Sequence, residues 1–180
     1  MGEILTRGRL CILTEQAHAR GRTVAFANGC FDLLHVGHIR YLEGAAREAD
    51  LLVVAVNDDA SVRRLKGEGR PILPAAARAE LVAALRWVDY VVVFPEATVG
   101  PLLQLLHPDV HCKGTDYTVE SVPEREIVNA YGGRTAIVGD PKDHSTRDLL
   151  AKIASPGRDA SEVGGRTSDV GGSPRPPGAD

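Results

Sequence analysis

Short apolar runs rich in β-branched residues alternate with helical patterns along most of this chain, and this alternation limits the folds it can adopt. The runs predict five strands, at residues 23–27, 51–56, 90–94, 109–112 and 135–138. Strands that are apolar nearly throughout are typical of parallel sheets covered by helices on both faces. We therefore predict an α/β protein with a doubly wound, five-stranded parallel sheet.

Apolar residues at three- and four-residue spacing predict helices between these strands. The first follows residue 35, and others are predicted at 78–85, 98–106 and 145–153. Ser121 and Glu124 have the spacing of a capping box, which predicts a further helix from there to the glycines at 132–133. Residues 1–20 are expected to form a short leading helix.

The segment 155–180 differs in composition from the rest of the chain. It is rich in glycine and proline and has almost no large apolar side chains. Such a segment buries too little apolar surface to offset the entropy lost on ordering, so we expect a disordered tail. The predicted organisation is a leading helix at 1–20, one folded domain at 21–154 and a tail at 155–180.

Composition excludes several classes of protein. The net charge of −3 over 180 residues argues against a broad surface for nucleic acid or for anionic membranes. The three cysteines have no C-x-x-C spacing, which favours reduced thiols over a disulfide framework. The sequence shows no secretion signal and no apolar run of membrane-spanning length, so a cytoplasmic protein is expected.

Polar residues follow each of the predicted strands. In open parallel sheets, ligands bind beyond the carboxyl ends of the strands. The segments that this topology brings to one edge are 28–38, 57–59, 94–96, 113–116 and 139–146. We expect the active site to be built from these segments.

His35 and His38 belong to an H-x-G-H element that comes shortly after the first predicted strand. Their spacing places both imidazoles on one face of a helix's first turn. A helix N-terminus attracts anions through its free N–H groups and its dipole, and Gly37 allows a phosphate to approach the backbone closely. The pair therefore favours phosphate chemistry. A zinc site with Asp32 as third ligand is the weaker alternative, because no further His or Cys falls at a standard zinc spacing.

The stretch Asn-Gly-Cys-Phe-Asp-Leu-Leu-His-Val-Gly-His at 28–38 resembles the signature of the cytidylyltransferase-like nucleotidyltransferases of the H-x-G-H superfamily. Blocks that follow it resemble the heptose 1-phosphate adenylyltransferases, which make ADP-heptose for bacterial lipopolysaccharide; they lie at 56–71, 78–81, 84–94 and 112–117. The resemblance implies a Rossmann-like fold of the nucleotidylyl transferase type. Bifunctional relatives carry a sugar-kinase domain before this one, for which 180 residues leave no room, so we expect the stand-alone adenylyltransferase.

The activity that this resemblance implies is the transfer of AMP from ATP to D-glycero-D-manno-heptose 1-phosphate, with release of pyrophosphate. The attacking phosphate is already anionic near neutral pH, so no general base is required. Catalysis then consists of positioning and of stabilising charge, with Mg²⁺ carried by the triphosphate and no metal ligands in the protein. The implied partners are these small molecules and, as in the relatives, a second copy in a homodimer.

Residue roles follow from the same resemblance, position by position. The catalytic residues that it implies are His35, His38 and Lys66. The nucleotide-binding residues that it implies are Asn28, Gly29, Phe31, Asp32, Gly37, Ser145 and Thr146. The implied substrate-binding residues are Arg78, Arg86, Lys113 and Asp116.

These assignments have structural alternatives. The basic run around Lys66 is also typical of a solvated loop, and arginines on helices usually lie on the surface. Asn28 and Asp32 suit turn and capping roles. The Ser-Thr pair at 145–146 suits an ordinary helix N-cap, which is compatible with phosphate binding at the same place.

The sequence departs from the family pattern at several positions. Thr115 replaces a glycine of the family's Lys-Gly-Gly-Asp block, the loop at 139–144 is unusual, and Arg147 stands where a second threonine is expected. The last two changes lie where the base is recognised, so a CTP-dependent enzyme acting on glycerol 3-phosphate or a related small phosphate stays open. A non-catalytic nucleotide-binding module is a further alternative, which the histidine pair and Lys66 argue against.

Overall fold

Six strands form one parallel sheet in a computed structural model that describes residues 1–140 together with Leu150 and Ile153. The strands are β1 (Glu3–Ile4), β2 (Val24–Gly29), β3 (Leu51–Asn57), β4 (Tyr90–Phe94), β5 (Val110–Lys113) and β6 (Arg134–Ile137). Their order is β1-β4-β3-β2-β5-β6, and every neighbouring pair is parallel. The predicted α/β class with a parallel sheet is confirmed.

The sixth strand, β1, was not predicted from the sequence. It is two residues long, both are exposed, and it pairs only with β4 at the edge of the sheet. A strand this short carries no apolar periodicity that could distinguish it from the start of a helix. The helix expected over residues 1–20 therefore begins only after β1.

The other five strands were predicted with bounds that differ from the observed ones by two residues at most. β4 has the predicted bounds, whereas β2, β3 and β5 continue to Gly29, Asn57 and Lys113. Backbone pairing extends them beyond the apolar runs, since Gly29 pairs with Val56 and Asn57 with Phe94. The strands thus end in polar or small residues at one edge of the sheet.

Six α-helices cover the sheet in the part of the chain that the structure describes. They are α1 (Arg7–Ala19), α2 (Val36–Ala46), α3 (Asp59–Lys66), α4 (Ala75–Ala83), α5 (Gly100–Leu106) and α6 (Arg125–Ala130). Helices α2 and α4 pack on one face, and α1, α5 and α6 form the layer on the other. The sheet is therefore doubly wound, as predicted.

Alternate residues of the central strands supply the two apolar cores. On β2, Ala25 and Ala27 belong to the core beneath α2 and α4, whereas Val24 and Phe26 belong to the core beneath α1 and α5. Every residue of β3 is buried, as expected for a central strand covered on both faces. The two packed faces fix the positions at which β2 and β3 end.

Helix α3 was not predicted, because half of its residues are charged and only two are buried. Its start is fixed by Asp58, whose carboxylate accepts a hydrogen bond from the Ser61 N–H at 2.7 Å. The basic run around Lys66 therefore forms the last turn of a helix and the start of the loop after it. The structural alternative had placed the whole run in a solvated loop.

The capping box expected at Ser121 and Glu124 is wrong. A short 3-10 helix (Val119–Ser121) comes first, and the Ser121 hydroxyl accepts from the Thr118 N–H at 2.9 Å. Helix α6 begins at Arg125, and Glu124, which precedes it, makes no side-chain capping hydrogen bond. The Glu124 carboxylate is instead directed at Lys113.

Two predicted segments lie outside the described residues: most of the helix expected at 145–153, and the whole tail expected at 155–180. Ser145 and Thr146 fall within this part of the chain. Among the helices that the structure describes, none has both the length and the apolar character needed to cross a membrane.

Candidate active site

The order of the sheet creates a crevice between β2 and β5. β3 and β5 lie on opposite sides of β2, so the direction in which the chain winds reverses at this point. Ligands of open parallel sheets bind outside the carboxyl ends of the strands at such a switch point. Asn28 and Gly29 end β2 there, and Lys113 ends β5.

The two histidines of the H-x-G-H element lie in the connection that leaves β2. His35 is the N-cap of α2, and Gly37 and His38 lie in the first turn of the helix. The imidazoles stack with ring centroids 3.9 Å apart and an interplanar angle of 30°. The His35 backbone N–H donates to His38 Nδ1 at 3.4 Å, which leaves the ring proton of a neutral His38 on Nε2.

His38 is uncharged at neutral pH. Burial, followed by the neighbouring His35 and Lys66, lowers its pKa to about 4. Its ring also lies against that of Phe31, with centroids 5.4 Å apart. A neutral imidazole in this place is a hydrogen-bond donor through its Nε2.

The turn between β2 and α2 has a strained backbone. Phe31 and Leu33 have φ values of 48° and 64°, a region that residues other than glycine seldom occupy. The Phe31 ring is buried, and a Cβ on Gly29 would lie 3.2 Å from it. Gly29 therefore makes room for Phe31, and the pair shapes the turn that leads to the histidines.

Helix α2 is held close to the ends of β5 and β6. The Tyr41 hydroxyl donates to the Cys112 carbonyl oxygen at 2.8 Å. A Cβ on Gly44 would lie only 3.0 Å from the backbone nitrogen of Gly139, which has a φ of 92°. Because both residues are glycines, the backbones of α2 and of the segment after β6 can approach each other closely. This approach fixes the position of α2, which carries the histidine pair.

Asp32 holds the segment that precedes α4. Its Oδ1 accepts hydrogen bonds from the backbone N–H groups of Ile72 at 2.8 Å and Leu73 at 3.2 Å. Its Oδ2 lies 2.7 Å from Arg70 Nε in a largely buried ion pair. The structure therefore gives Asp32 the structural role that was the alternative to nucleotide binding.

Arg78 anchors the loops of the site, whereas the sequence analysis expected it to bind substrate. Its side chain is 0% exposed, and its guanidinium donates to the carbonyl oxygens of Leu73 at 2.9 Å and Cys30 at 2.5 Å. It also pairs with the Asp59 carboxylate at 2.7 Å. The guanidinium joins three segments and has no surface left for a ligand.

Arg86, also expected to bind substrate, lies near the amino-terminal ends of the strands. It precedes β4, and the ligand-binding edge is at the carboxyl ends of the strands. Its guanidinium is exposed and lies 4.5 Å from the centroid of the Trp87 ring. The structure thus places Arg86 before β4, away from the strand ends that carry the other candidate residues.

Lys66 and Asp116 are exposed near the crevice. Lys66 ends α3, where Gly67 has a φ of 92°, and its charge helps to lower the pKa of His38. Asp116 lies in the loop after β5, and the neighbouring Thr115 hydroxyl donates to the Asp140 carbonyl oxygen at 2.8 Å. Both residues are exposed in segments that follow strands of the sheet.

A buried polar network lies beneath this edge, around Asn28. Asn28 Oδ1 is 3.2 Å from Lys113 Nζ and 3.2 Å from His111 Nε2. Because that oxygen can only accept, the His111 proton is on Nε2. Lys113 Nζ also lies 3.5 Å from Glu124 Oε2. The sequence analysis named Asn28 and Lys113 but missed His111 and Glu124.

His111 makes the stability of the protein sensitive to acid. Burial and the charge of Lys113 lower its pKa to about 3, so the folded protein binds fewer protons than the unfolded chain below about pH 6.5. Stability is therefore lost as the pH falls. In His111→Leu, we expect the loss between pH 7 and about pH 4.5 to be smaller by roughly 2–3 kcal/mol.

The measurement is urea unfolding of both proteins at the two pH values. His107→Asn is the matched control, because His107 is exposed, and asparagine tolerates its φ of 44°. This variant should keep the pH dependence of the unaltered protein. An equally steep loss of stability in His111→Leu would contradict the buried neutral state of the ring.

The surroundings of Asp32, the third ligand of the alternative zinc site, do not support a zinc ion at the histidine pair. The Asp32 carboxylate is engaged by Arg70 and by backbone N–H groups. Within 1–140 and the two further described residues, no group of three or more His, Cys, Asp or Glu side chains could hold a metal ion. Mg²⁺ commonly binds through substrate phosphates, and such an ion would enter as part of the nucleotide substrate.

Comparison with known proteins gives a consistent result. The family model for cytidylyltransferase-like proteins matches residues 26–156. Bifunctional protein HldE of Pelobacter propionicus is 47% identical over 151 residues, which are 84% of this chain and 31% of that protein. Bifunctional protein HldE of Geobacter sulfurreducens is 51% identical over 135 residues, 75% of this chain and 28% of that protein. The chain thus spans about a third of the length of these relatives.

A solved structure has the same fold. It is the crystal structure of the lipopolysaccharide core biosynthesis protein from Thermoplasma volcanium GSS1, with a TM-score of 0.59 and 27% sequence identity. The match covers 68% of this chain and 100% of that one.

Proposed function

The chain belongs to the cytidylyltransferase-like family of nucleotidyltransferases, and we propose that it transfers AMP from ATP to D-glycero-D-manno-heptose 1-phosphate. The products are ADP-heptose and pyrophosphate, and ADP-heptose is a precursor of the lipopolysaccharide core. The relatives named above support a sugar phosphate as acceptor, since one is a lipopolysaccharide core biosynthesis protein. The 47% identity to a bifunctional HldE protein supports the same assignment.

The observation that carries the proposal is the stacked histidine pair at the start of α2. His35 and His38 lie at the switch point, with the ring of His38 neutral and its Nε2 carrying the proton. Donors in this place suit the α-phosphate of a nucleotide whose phosphates lie at the helix N-terminus. The lysines at 66 and 113 supply positive charge on the two sides of the crevice.

The reaction requires little covalent chemistry from the protein. An anionic oxygen of the sugar phosphate attacks the α-phosphorus of ATP, the bond from that phosphorus to the bridging oxygen breaks, and pyrophosphate leaves with the electron pair. Charge on the oxygens of the α-phosphate increases in the transition state, and the two imidazoles stabilise it. His38 donates from Nε2 as a neutral ring, because its Nδ1 accepts from the His35 backbone N–H.

A cytidylyltransferase acting on glycerol 3-phosphate is the second candidate. The family description favours it, because it names cytidylyl transfer and not adenylyl transfer. The Lys-Gly-Thr-Asp block that follows β5 favours the heptose substrate through its resemblance to the heptose enzymes.

The test measures pyrophosphate release with ATP, CTP, GTP and UTP, each against heptose 1-phosphate and glycerol 3-phosphate. We expect turnover with ATP and heptose 1-phosphate to exceed that of every other combination. Turnover confined to CTP and glycerol 3-phosphate would overturn the assignment in favour of the second candidate. Binding of nucleotide without turnover in any combination would contradict both enzymes and indicate a binding module.

A further inference from the structure

An ion pair is buried at the carboxyl end of β5. Lys113 and Glu124 are each only 8% exposed, and Lys113 Nζ lies 3.5 Å from Glu124 Oε2. Lys113 is the last residue of β5, and Glu124 immediately precedes α6. The pair therefore joins the strand that borders the crevice to the helix behind it.

Glu124 is the only anionic side chain that the structure places against the Lys113 ammonium among the described residues. The other groups around the ammonium are the Asn28 amide oxygen at 3.2 Å and the Tyr117 ring, whose centroid is 5.3 Å away. His111, on the same strand, is neutral and donates to the same amide oxygen. None of these three carries a negative charge at neutral pH.

A buried ammonium needs a counter-charge to remain ionised. Burial lowers the pKa of Lys113, and Glu124 acts in the opposite direction and raises it. The Asn28 dipole orients the ammonium but cannot balance its charge. Glu124 acts on Lys113 mainly through its charge, since Nζ and Oε2 lie 3.5 Å apart, at the outer limit of a hydrogen bond.

We propose that Glu124 is a positioning residue of the active site, which keeps Lys113 charged and fixed beneath the anionic group of the acceptor. The same carboxylate repels that anionic group, so it also limits the affinity of the site for the acceptor. This inference rests on the proposed function, in which Lys113 contacts the sugar phosphate.

Two opposite effects follow when the charge of Glu124 is removed but its shape is kept. While Lys113 stays protonated, loss of the repelling carboxylate strengthens acceptor binding. At higher pH, Lys113 loses its proton earlier than before, because the group that raised its pKa is gone. The curves of acceptor KM against pH for the two proteins should therefore cross.

The experiment compares Glu124→Gln with the unaltered protein, using heptose 1-phosphate and ATP between about pH 6 and pH 9.5. We expect KM for heptose 1-phosphate to fall about three- to tenfold near pH 6.5 in the variant. Its alkaline rise in KM should begin at a lower pH than in the unaltered protein, while kcat changes little. Glu124→Asp restores the charge and should return the profile toward that of the unaltered protein.

Glu126→Gln is the matched control, since Glu126 is exposed in the first turn of α6 and its loss removes the same charge. It should leave the profile unchanged. KM curves that run parallel at all pH values in Glu124→Gln would overturn the proposal, because a purely structural role moves KM without changing its pH dependence.

A second measurement does not depend on turnover. The Cε signal of Lys113, identified by its absence in Lys113→Arg, is titrated by nuclear magnetic resonance without substrates. We expect the midpoint to be lower in Glu124→Gln than in the unaltered protein, and an unchanged midpoint would overturn the proposal. If the unaltered protein fails to turn over heptose 1-phosphate, the proposed function fails, and the titration still decides the role of Glu124.

Discussion

Replacing His35 or His38 with alanine is expected to lower kcat for nucleotidyl transfer by about 10²–10³, a loss typical of removing one preorganised donor. The physical reason is that both imidazoles lie where charge increases on the α-phosphate. The histidines stack at 3.9 Å and one supports the orientation of the other, so they act as a unit. The double variant should therefore be only slightly slower than the slower single variant.

The measurement is steady-state pyrophosphate release for both single variants, the double variant and the control His107→Asn. We expect KM for ATP to change less than kcat, because the missing interactions are made mainly in the transition state. His107 is exposed at the end of α5, and its variant should be fully active. Turnover at the unaltered rate in both single alanine variants would remove the histidines from the mechanism.

Replacing Arg78 with methionine is expected to lower the free energy of unfolding by about 3–5 kcal/mol. Methionine keeps the apolar stem but leaves the carbonyl oxygens of Leu73 and Cys30 without their donor, and the Asp59 carboxylate without its counter-charge. Activity should fall as well, because the loops that carry the site lose their common anchor. Arg78→Lys should rescue little, since an ammonium cannot reach three segments at once.

The control for this prediction is Arg86→Met, which removes an exposed arginine near the amino-terminal ends of the strands. We expect its free energy of unfolding to change by about 0.5 kcal/mol or less and its KM values to stay the same. Urea unfolding and pyrophosphate release measure both effects. A large rise in KM for the acceptor in Arg86→Met, with Arg78→Met fully stable, would reverse the roles that the structure gives them.

The strands could be predicted from the sequence because burial on both faces leaves a plain signal. All seven residues of β3 are buried, and its apolar run was recognised up to Val56. β1 could not be predicted, since two exposed residues at an edge gain their structure only from pairing with Tyr90 and Val91. Helix α3 has too few apolar residues to show a helical period, and the Asp58 cap fixes its start.

The candidate site could be predicted where a motif is local and could not where it depends on tertiary packing. The spacing of His35 and His38 alone indicated a common helix turn. Nothing in the sequence separates Arg78 from Arg86, because they stand at the two ends of one predicted helix and only the packed structure buries Arg78. The local sequence predicted the role of a capping residue for Glu124. In the folded protein its carboxylate instead faces Lys113, which comes from β5.

The neighbouring positions of β2 and β5 have a consequence for how the protein folds. Asn28 and Lys113, which meet in the crevice, are 85 positions apart in the sequence. Closing so long a loop costs entropy before any contact repays it, and folds rich in such pairings form slowly. The pairing of β2 with β3, and of β3 with β4, can be completed before β5 is synthesised. We therefore expect the histidine side of the crevice to be ordered first and the acceptor side to join it last.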